Sequence, residues 1–269
     1  MNSYDIISGL MISLGKKEYS IESLKYLTDL FNIKESNLRT NLSRMKNNGI
    51  VQIRKTGKKA YYSLSEKSVR ISKNVSLSFK NLSWEKWNGE WLGVAFSVPE
   101  SNKSFRHKIR KKLTAYRLAA LYPGFWIRPF NNAEKLLTKL DDLRKNNFCT
   151  FIKFNLIDAP KKESIIKMWN LIKVNLELLK GLSLLTAEKK TLKNITPAKA
   201  LIKKINIGST IVPLLFKDPL LPDCYLPDNW KGPELRKKFI QWDELVTDIS
   251  KPYWKKIFKQ GEINAKTNF

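Results

Sequence analysis

The chain has 269 residues, with 50 Lys plus Arg against 24 Asp plus Glu and a formal net charge of +26. That excess attracts polyanions, so nucleic acid is the leading partner class and an acidic membrane surface the next. A hydrophobic fraction of 42% with 11% aromatics is enough to build a core, which excludes a wholly disordered basic tail.

Helical spacing opens the chain. Tyr4, Ile7, Leu10, Met11 and Leu14 recur at three- and four-residue intervals, and Gly15 ends the run. The stretch has no basic leader and no cleavage signature, so a signal peptide is not expected. A second helix is predicted after the N-cap Ser20, with Ile21, Leu24, Leu27, Leu30 and Phe31 on one face and Glu22 near the positive helix end. Residues 32–35 connect it to a third helix, whose buried face is Leu38, Leu42 and Met45 and whose stop is Asn48-Gly49. The period then changes to two. Val51 and Ile53 alternate, Lys55-Thr56-Gly57-Lys58 supplies a turn, and Ala60, Tyr62 and Leu64 alternate on the return. Three helices followed by a hairpin is the order of a winged helix-turn-helix.

Residues 67–83 are rich in Ser, Lys and Asn and read as a linker. From Trp84 the texture changes. Trp91 to Val98 reads as a buried strand, Lys103 to Arg117 as a basic helix, and Leu118 to Leu121 with Gly124 to Arg128 as a strand pair around Pro123-Gly124. Ala133 to Leu143 is an amphipathic helix, and Cys149 to Ile157 is β-rich. The sum is the βαββαβ order of a ferredoxin-like domain. Helices are expected over 164–182, 197–204, 207–216, 233–247 and 251–260, with Pro213, Pro219, Pro222 and Pro227 as breaks. The fold class is therefore α+β: a winged helix over 1–66, a linker, a ferredoxin-like domain over 84–160 and a helical domain over 161–269. No run of about 18 apolar residues is present, so no membrane span is expected.

The outward positions of the third helix are Ser36, Asn37, Arg39, Thr40, Asn41, Ser43, Arg44 and Lys46. An α-helix fits the major groove of duplex DNA, where Arg reads guanine, Asn reads adenine, and Ser and Thr are versatile. Asn37, Arg39, Thr40, Ser43 and Arg44 are candidates for reading bases. Ser36 shares their face, and Lys46 is a candidate for phosphate. The hairpin turn adds Arg54, Lys55, Lys58 and Lys59 where a wing meets the backbone. A solvated helix face in a Lys- and Asn-rich chain is the plainer alternative.

Other chemistry is sparse. Between Ser101 and Ala133 there is no acidic side chain, while Lys103, Arg106, Lys108, Arg110, Lys111, Lys112 and Arg117 all lie there. An anionic partner or simple solvation accounts for such a helix equally well. His107 has no catalytic neighbours in sequence. Cys149 and Cys224 read as reduced thiols, and they cannot build a zinc cluster with one histidine. The ferredoxin-like unit resembles the small CRISPR-associated nucleases, which carry an aspartate at the end of the first strand. Here Pro99-Glu100 follows that strand, and Asp141-Asp142 reads as a solvated helical pair. Neither an enzyme nor a cofactor is expected.

Three blocks carry a further resemblance. The first joins Asn37-Leu38-Arg39-Thr40-Asn41-Leu42-Ser43-Arg44-Met45 to Gly49-Ile50-Val51 and to the segment from Gly57 to Leu64. The second is Trp87-Asn88-Gly89-Glu90-Trp91 with Tyr122-Pro123-Gly124-Phe125-Trp126-Ile127-Arg128-Pro129. The third runs from Asp218-Pro219-Leu220-Leu221-Pro222-Asp223 to Leu226-Pro227-Asp228-Asn229-Trp230-Lys231-Gly232. Together they resemble the phenylacetic-acid-degradation repressors, the PaaX-like transcriptional regulators. The resemblance implies a cytoplasmic homodimeric repressor on a palindromic operator, released by an aryl-acetyl-CoA effector. It carries DNA contact onto Arg39, Thr40, Ser43, Arg44 and the Gly57 wing. Lys58-Lys59 stand where the family usually has arginines. An anionic thioester would find cations at Arg106 and Arg110 and an apolar wall near Trp84, Trp87, Trp91 or Trp126. The rival readings are a sequence-indifferent nucleic-acid binder and a metal-dependent nuclease.

Overall fold

The computed structural model describes residues 1–15, 17–57, 59–69, 87–130, 134–158 and 160–266. Helix α1 (Ser3–Leu14) starts where the Asn2 side chain accepts the Asp5 N–H at 2.9 Å. Strand β1 (Tyr19–Ser20) leads directly into α2 (Ile21–Asp29), and the Ser20 hydroxyl oxygen accepts the Ser23 N–H at 3.1 Å, as its predicted N-cap role requires. Leu30 and Phe31 lie beyond the helix end but still pack on the core, because Asn32 adopts φ 55 and folds the chain back.

Helix α3 spans Glu35–Asn47, and strands β2 (Val51–Thr56) and β3 (Lys59–Leu64) follow as an antiparallel hairpin. The register pairs Thr56 with Lys59, so the turn is shorter than the sequence suggests, with two residues between the paired strands. Gly57 has φ 56, the left-handed conformation that a two-residue hairpin demands. The sheet is completed by β1, in the order β1-β3-β2. Beyond β3 the Ser65 hydroxyl accepts the Ser68 N–H at 3.2 Å as a helical turn begins, and 70–83 of the expected linker lie outside the described residues.

A second sheet contains β4 (Glu90–Phe96), β5 (Ala119–Tyr122), β6 (Phe125–Pro129) and β7 (Cys149–Asn155), antiparallel throughout in the order β5-β6-β4-β7. Helix α4 (Lys103–Ala115) links β4 to β5. The helix expected over 133–143 is two short ones, α5 (Glu134–Lys139) and α6 (Asp141–Arg144). Alternation along β4 sends Leu92, Val94 and Phe96 to one face, packed with Ile109 and Leu113 of α4 and with Leu136, Leu140 and Leu143. Trp91 goes to the other face, with Ile127, Ile165, Leu171, Leu221, Tyr225 and Leu226.

The remaining helices are α7 (Lys162–Met168), α8 (Leu171–Lys190), α9 (Pro197–Lys217) and α10 (Gly232–Lys266). The helix expected over 164–182 breaks at Asn170, where φ is 52, and then runs on to Lys190. The two helices expected over 197–216 are one, and Pro213 lies inside it. The two expected over 233–260 are also one, with Pro252 inside. A mid-helix proline deletes one backbone hydrogen bond. Burial on the adjoining turns outweighs that loss: Ile211, Leu215, Val246 and Ile257 are each at most 4% exposed. Among the described residues no helix is long and apolar enough to cross a membrane.

The chain divides into two compact units. The first holds residues 1–80, 181–213 and 234–269, and the second holds 81–180 and 214–233. In the first, Leu201, Ile205, Ile257 and Phe258 share a core with Leu24, Leu38, Leu42 and Met45. In the second, the Trp-rich and Pro-rich sequence blocks meet. Trp87, Trp91 and Tyr225 pack as a trio with centroids 5.7 Å apart, and the Arg117 Nε donates to the Asp218 carbonyl at 2.8 Å. Asp218 is fully buried, and its carboxylate lies against Gly232, so close that a Cβ at Gly232 would stand 2.0 Å from Oδ2. Gly232→Ala must therefore displace a buried carboxylate. It should lower unfolding stability by about 1–3 kcal/mol or more, read as a lower denaturation midpoint in urea; an unchanged midpoint would show that the Asp218 turn yields freely.

Candidate nucleic-acid interface

Helix α3 has two unlike sides. Leu38 and Met45 are fully buried and Leu42 is 1% exposed, while Ser36, Asn37, Arg39, Thr40, Ser43, Arg44 and Lys46 are all exposed. Asn41, read from the sequence as outward, is instead 6% exposed, and its Nδ2 donates to the Asn37 carbonyl at 2.8 Å. It belongs to the packing side, because it falls next to Leu38 and Leu42 on the helical wheel. The Thr40 hydroxyl donates to the Ser36 carbonyl at 2.9 Å, leaving its methyl group and oxygen lone pairs for a partner.

The cations on this surface differ in availability. Arg39 donates through Nε and Nη2 to Glu35 Oε1 at 3.0 and 2.7 Å, and Lys25 binds the other oxygen at 2.9 Å. These two cations, Lys25 first, hold the Glu35 carboxyl below its ordinary value. Arg54 grips Glu18 with two bonds of 2.8 and 2.6 Å, reaches Thr56 Oγ1 at 2.7 Å and lies 4.8 Å from the Tyr61 ring centroid. That pairing likewise lowers Glu18. Arg44, Lys46 and Lys55 are exposed and have no acidic partner among the described residues. Lys59 is half-buried, and Lys58 lies outside the described residues. The Glu35–Arg39 spacing of four was visible in the sequence as a helical ion-pair signal. The Glu18–Arg54 pair joins residues 36 apart and left no local trace.

The residues suggested for an effector do not all share one face of the sheet. Trp91 is 1% exposed and enclosed by Trp87 and Tyr225. Trp126 stands opposite Val94 and so lies on the other face of the sheet, as strand alternation requires. Arg106 is bound to Glu100 and to the Val98 carbonyl, each at 2.7 Å, whereas Arg110 is exposed. Trp84 lies outside the described residues. Glu100, the residue closest to a nuclease-type acid, is held below its ordinary value by Arg106 and then Lys103. Asp141 pairs with Lys145 and Asp142 with Lys112. Among the described residues no group of three or more His, Cys, Asp or Glu is placed to hold a metal. Cys149 and Cys224 are free cysteines, the first buried and the second exposed.

Three family models align with successive parts of the chain: a PaaX-like protein model over 7–68, the PaaX protein central Cas2-like domain over 84–166 and the PaaX-like protein C-terminal domain over 169–256. The transcriptional repressor PaaX of Escherichia coli is 24% identical over 256 residues, covering 92% of this chain and 79% of that protein. A solved structure of an uncharacterized protein from Mycobacterium tuberculosis has a similar fold, with a TM-score of 0.58 and 19% identity over 90% of this chain and 95% of that one. All three models describe one family, and the curated relative, a repressor and not an enzyme, carries the same name; the chain belongs to the PaaX-like family.

Proposed function

We propose that this protein is a DNA-binding transcriptional repressor, a regulator and not an enzyme. In this reading α1–α3 with the β2–β3 hairpin are a winged helix-turn-helix, the four-stranded sheet with α4–α6 is a ferredoxin-like domain, and the helices after it are a third domain. The observation that carries the reading is α3, whose apolar side is sunk in a core while its opposite side is polar, basic and exposed. Asn37 is suited to adenine and Arg44 to guanine, each bidentate contact being worth about 1–3 kcal/mol of discrimination. Ser36, Thr40 and Ser43 add hydroxyls. Lys46, Lys55, Lys58 and Lys59 neutralise phosphates. Arg39 and Arg54 reach DNA only by exchanging a carboxylate for a phosphate or a base, which makes them weaker contributors than the sequence implies.

The finer reading is a cytoplasmic homodimer on a palindromic operator, since operator symmetry mirrors protein symmetry. An acyl-CoA effector would release it by binding the DNA-free state more tightly. The net charge of +26 also supports a second reading, a sequence-indifferent nucleic-acid binder. Footprinting over the DNA upstream of the protein's own gene separates the two. One protected symmetric site supports repression, and uniform weak protection supports the binder. Gel shifts with and without acyl-CoAs test the effector.

Two substitutions test the interface itself. Arg44→Ala should cost about 1–3 kcal/mol at the preferred site and little on random DNA, whereas Lys55→Ala should weaken all duplexes and lower the salt slope by about one. Equal effects from both would place the reading face elsewhere. Glu35→Gln removes the carboxylate that restrains Arg39. Binding to DNA should tighten and its salt dependence steepen in anisotropy titrations; unchanged binding would exclude Arg39 from the contact.

A further inference from the structure

Helix α4 is basic along its solvent side. It carries Lys103, Arg106, Lys108, Arg110, Lys111 and Lys112 and no acid. Its first residue is Lys103, at the helix end where the dipole favours a carboxylate. Ile109 and Leu113 are fully buried and fix the inward direction, with Phe105 packed beside them. With about 3.6 residues per turn, Lys111 lies on the side opposite that stripe, flanked by Arg110 on one side and Lys108 on the other. All three are exposed.

The neighbouring carboxylates serve other cations. Glu100 binds Arg106 at 2.7 Å and Lys103 at 3.5 Å. Asp142 binds Lys112, and Asp141 binds Lys145 at 2.6 Å. Lys108, Arg110 and Lys111 have no acidic partner among the described residues. Like charges three or four positions apart on a helix repel, as Lys108 does with Lys111 and Lys112, and Arg110 with Arg106. The apolar stripe holds the helix together against that repulsion, which an anion on the outer side would relieve.

We propose that the outer side of α4 is a second, sequence-indifferent contact to the phosphates of duplex DNA, made chiefly by Lys108, Arg110 and Lys111. The proposal rests on the DNA-binding reading for the identity of the polyanion, but it uses a helix of the second unit, whereas α3 and the wing belong to the first. Three features of the surface favour nucleic acid. The other exposed positions of α4 are Lys103, Ser104, His107, Thr114 and Ala115, so it lacks the large apolar residues on which a protein partner docks. It lacks the Asn and Gln that α3 uses toward bases, so its contacts position without reading sequence. Its cations spread over an outward-curving side, where an extended anion meets all of them and a small one meets few. Duplex DNA offers one charge per about 1.7 Å of its axis.

Anisotropy titrations of the full chain test this on two duplexes, the preferred upstream site and a random sequence, across a salt series. The triple variant Lys108→Gln, Arg110→Gln, Lys111→Gln should weaken both duplexes by a similar factor, about tenfold or more at low salt, and lower the salt slope by about two to three. Lys111→Gln alone should lower the slope by about one. A control with the same loss of charge, Lys161→Gln, Lys173→Gln, Lys180→Gln at exposed positions of the same unit, should leave the slope near that of the wild type. The α4 triple variant should keep the wild-type circular dichroism and urea midpoint, since it removes only mutually repelling surface charges. Wild-type affinity and slope in that variant, with DNA binding otherwise intact, would overturn the proposal and leave α4 to solvent or to an acidic protein. Equal losses in variant and control, or a changed preference between the two duplexes, would overturn it as well. Failure of the wild-type chain to bind either duplex would instead remove the DNA-binding reading and this proposal together.

Discussion

The seating of α3 governs the candidate interface. Leu38, Leu42 and Met45 are locked into the core by burial of essentially their whole side chains. Each contributes on the order of 1.5–3 kcal/mol, so the helix cannot roll about its axis without losing several times the energy of thermal motion. The same packing determines which side chains face outward. The grip comes partly from far along the chain, since Leu201, Ile205, Ile257 and Phe258 line the same core. The N-terminal helices and hairpin are thus one part of a larger packed unit that the chain completes with its last helices.

Charge on this surface is organised by a few carboxylates. Glu35 and Glu18 each engage an arginine that the sequence offers as a DNA contact, so the cations with no acidic partner among the described residues are Arg44, Lys46 and Lys55. Both carboxyls titrate below their ordinary values. Their pairing is therefore complete above the ordinary carboxylate range and is lost as pH falls through the lowered values. Being exposed, these pairs matter less for stability than for which cations a polyanion meets without competition.

Much of the local structure was legible in the sequence. Period-3.6 and period-2 patterning located α1–α3, the hairpin and the βαββαβ order, and Ser20 announced its own cap. A proline misled. Pro213 read as a break because the lost hydrogen bond is a local quantity, whereas the burial that carries α9 through it is not. Asn41 misled for a related reason. A polar residue beside an apolar stripe looks solvated until its amide is seen to return to the Asn37 carbonyl. The tryptophans misled because aromatic density along a strand does not show that neighbouring strands in register send Trp91 and Trp126 to opposite faces.

By itself the sequence determined the kinds and order of elements, the α+β class, the excess of positive charge and the three blocks that mark the family. These follow from periodicity, composition and short motifs, all of which act over a few residues. Tertiary structure alone decided which arginines are already engaged, that the Trp- and Pro-rich blocks meet through Arg117 and Asp218, and which cations of α4 Glu100 and Asp142 engage. Such outcomes join residues as much as 101 positions apart, and no local pattern encodes which distant group will arrive.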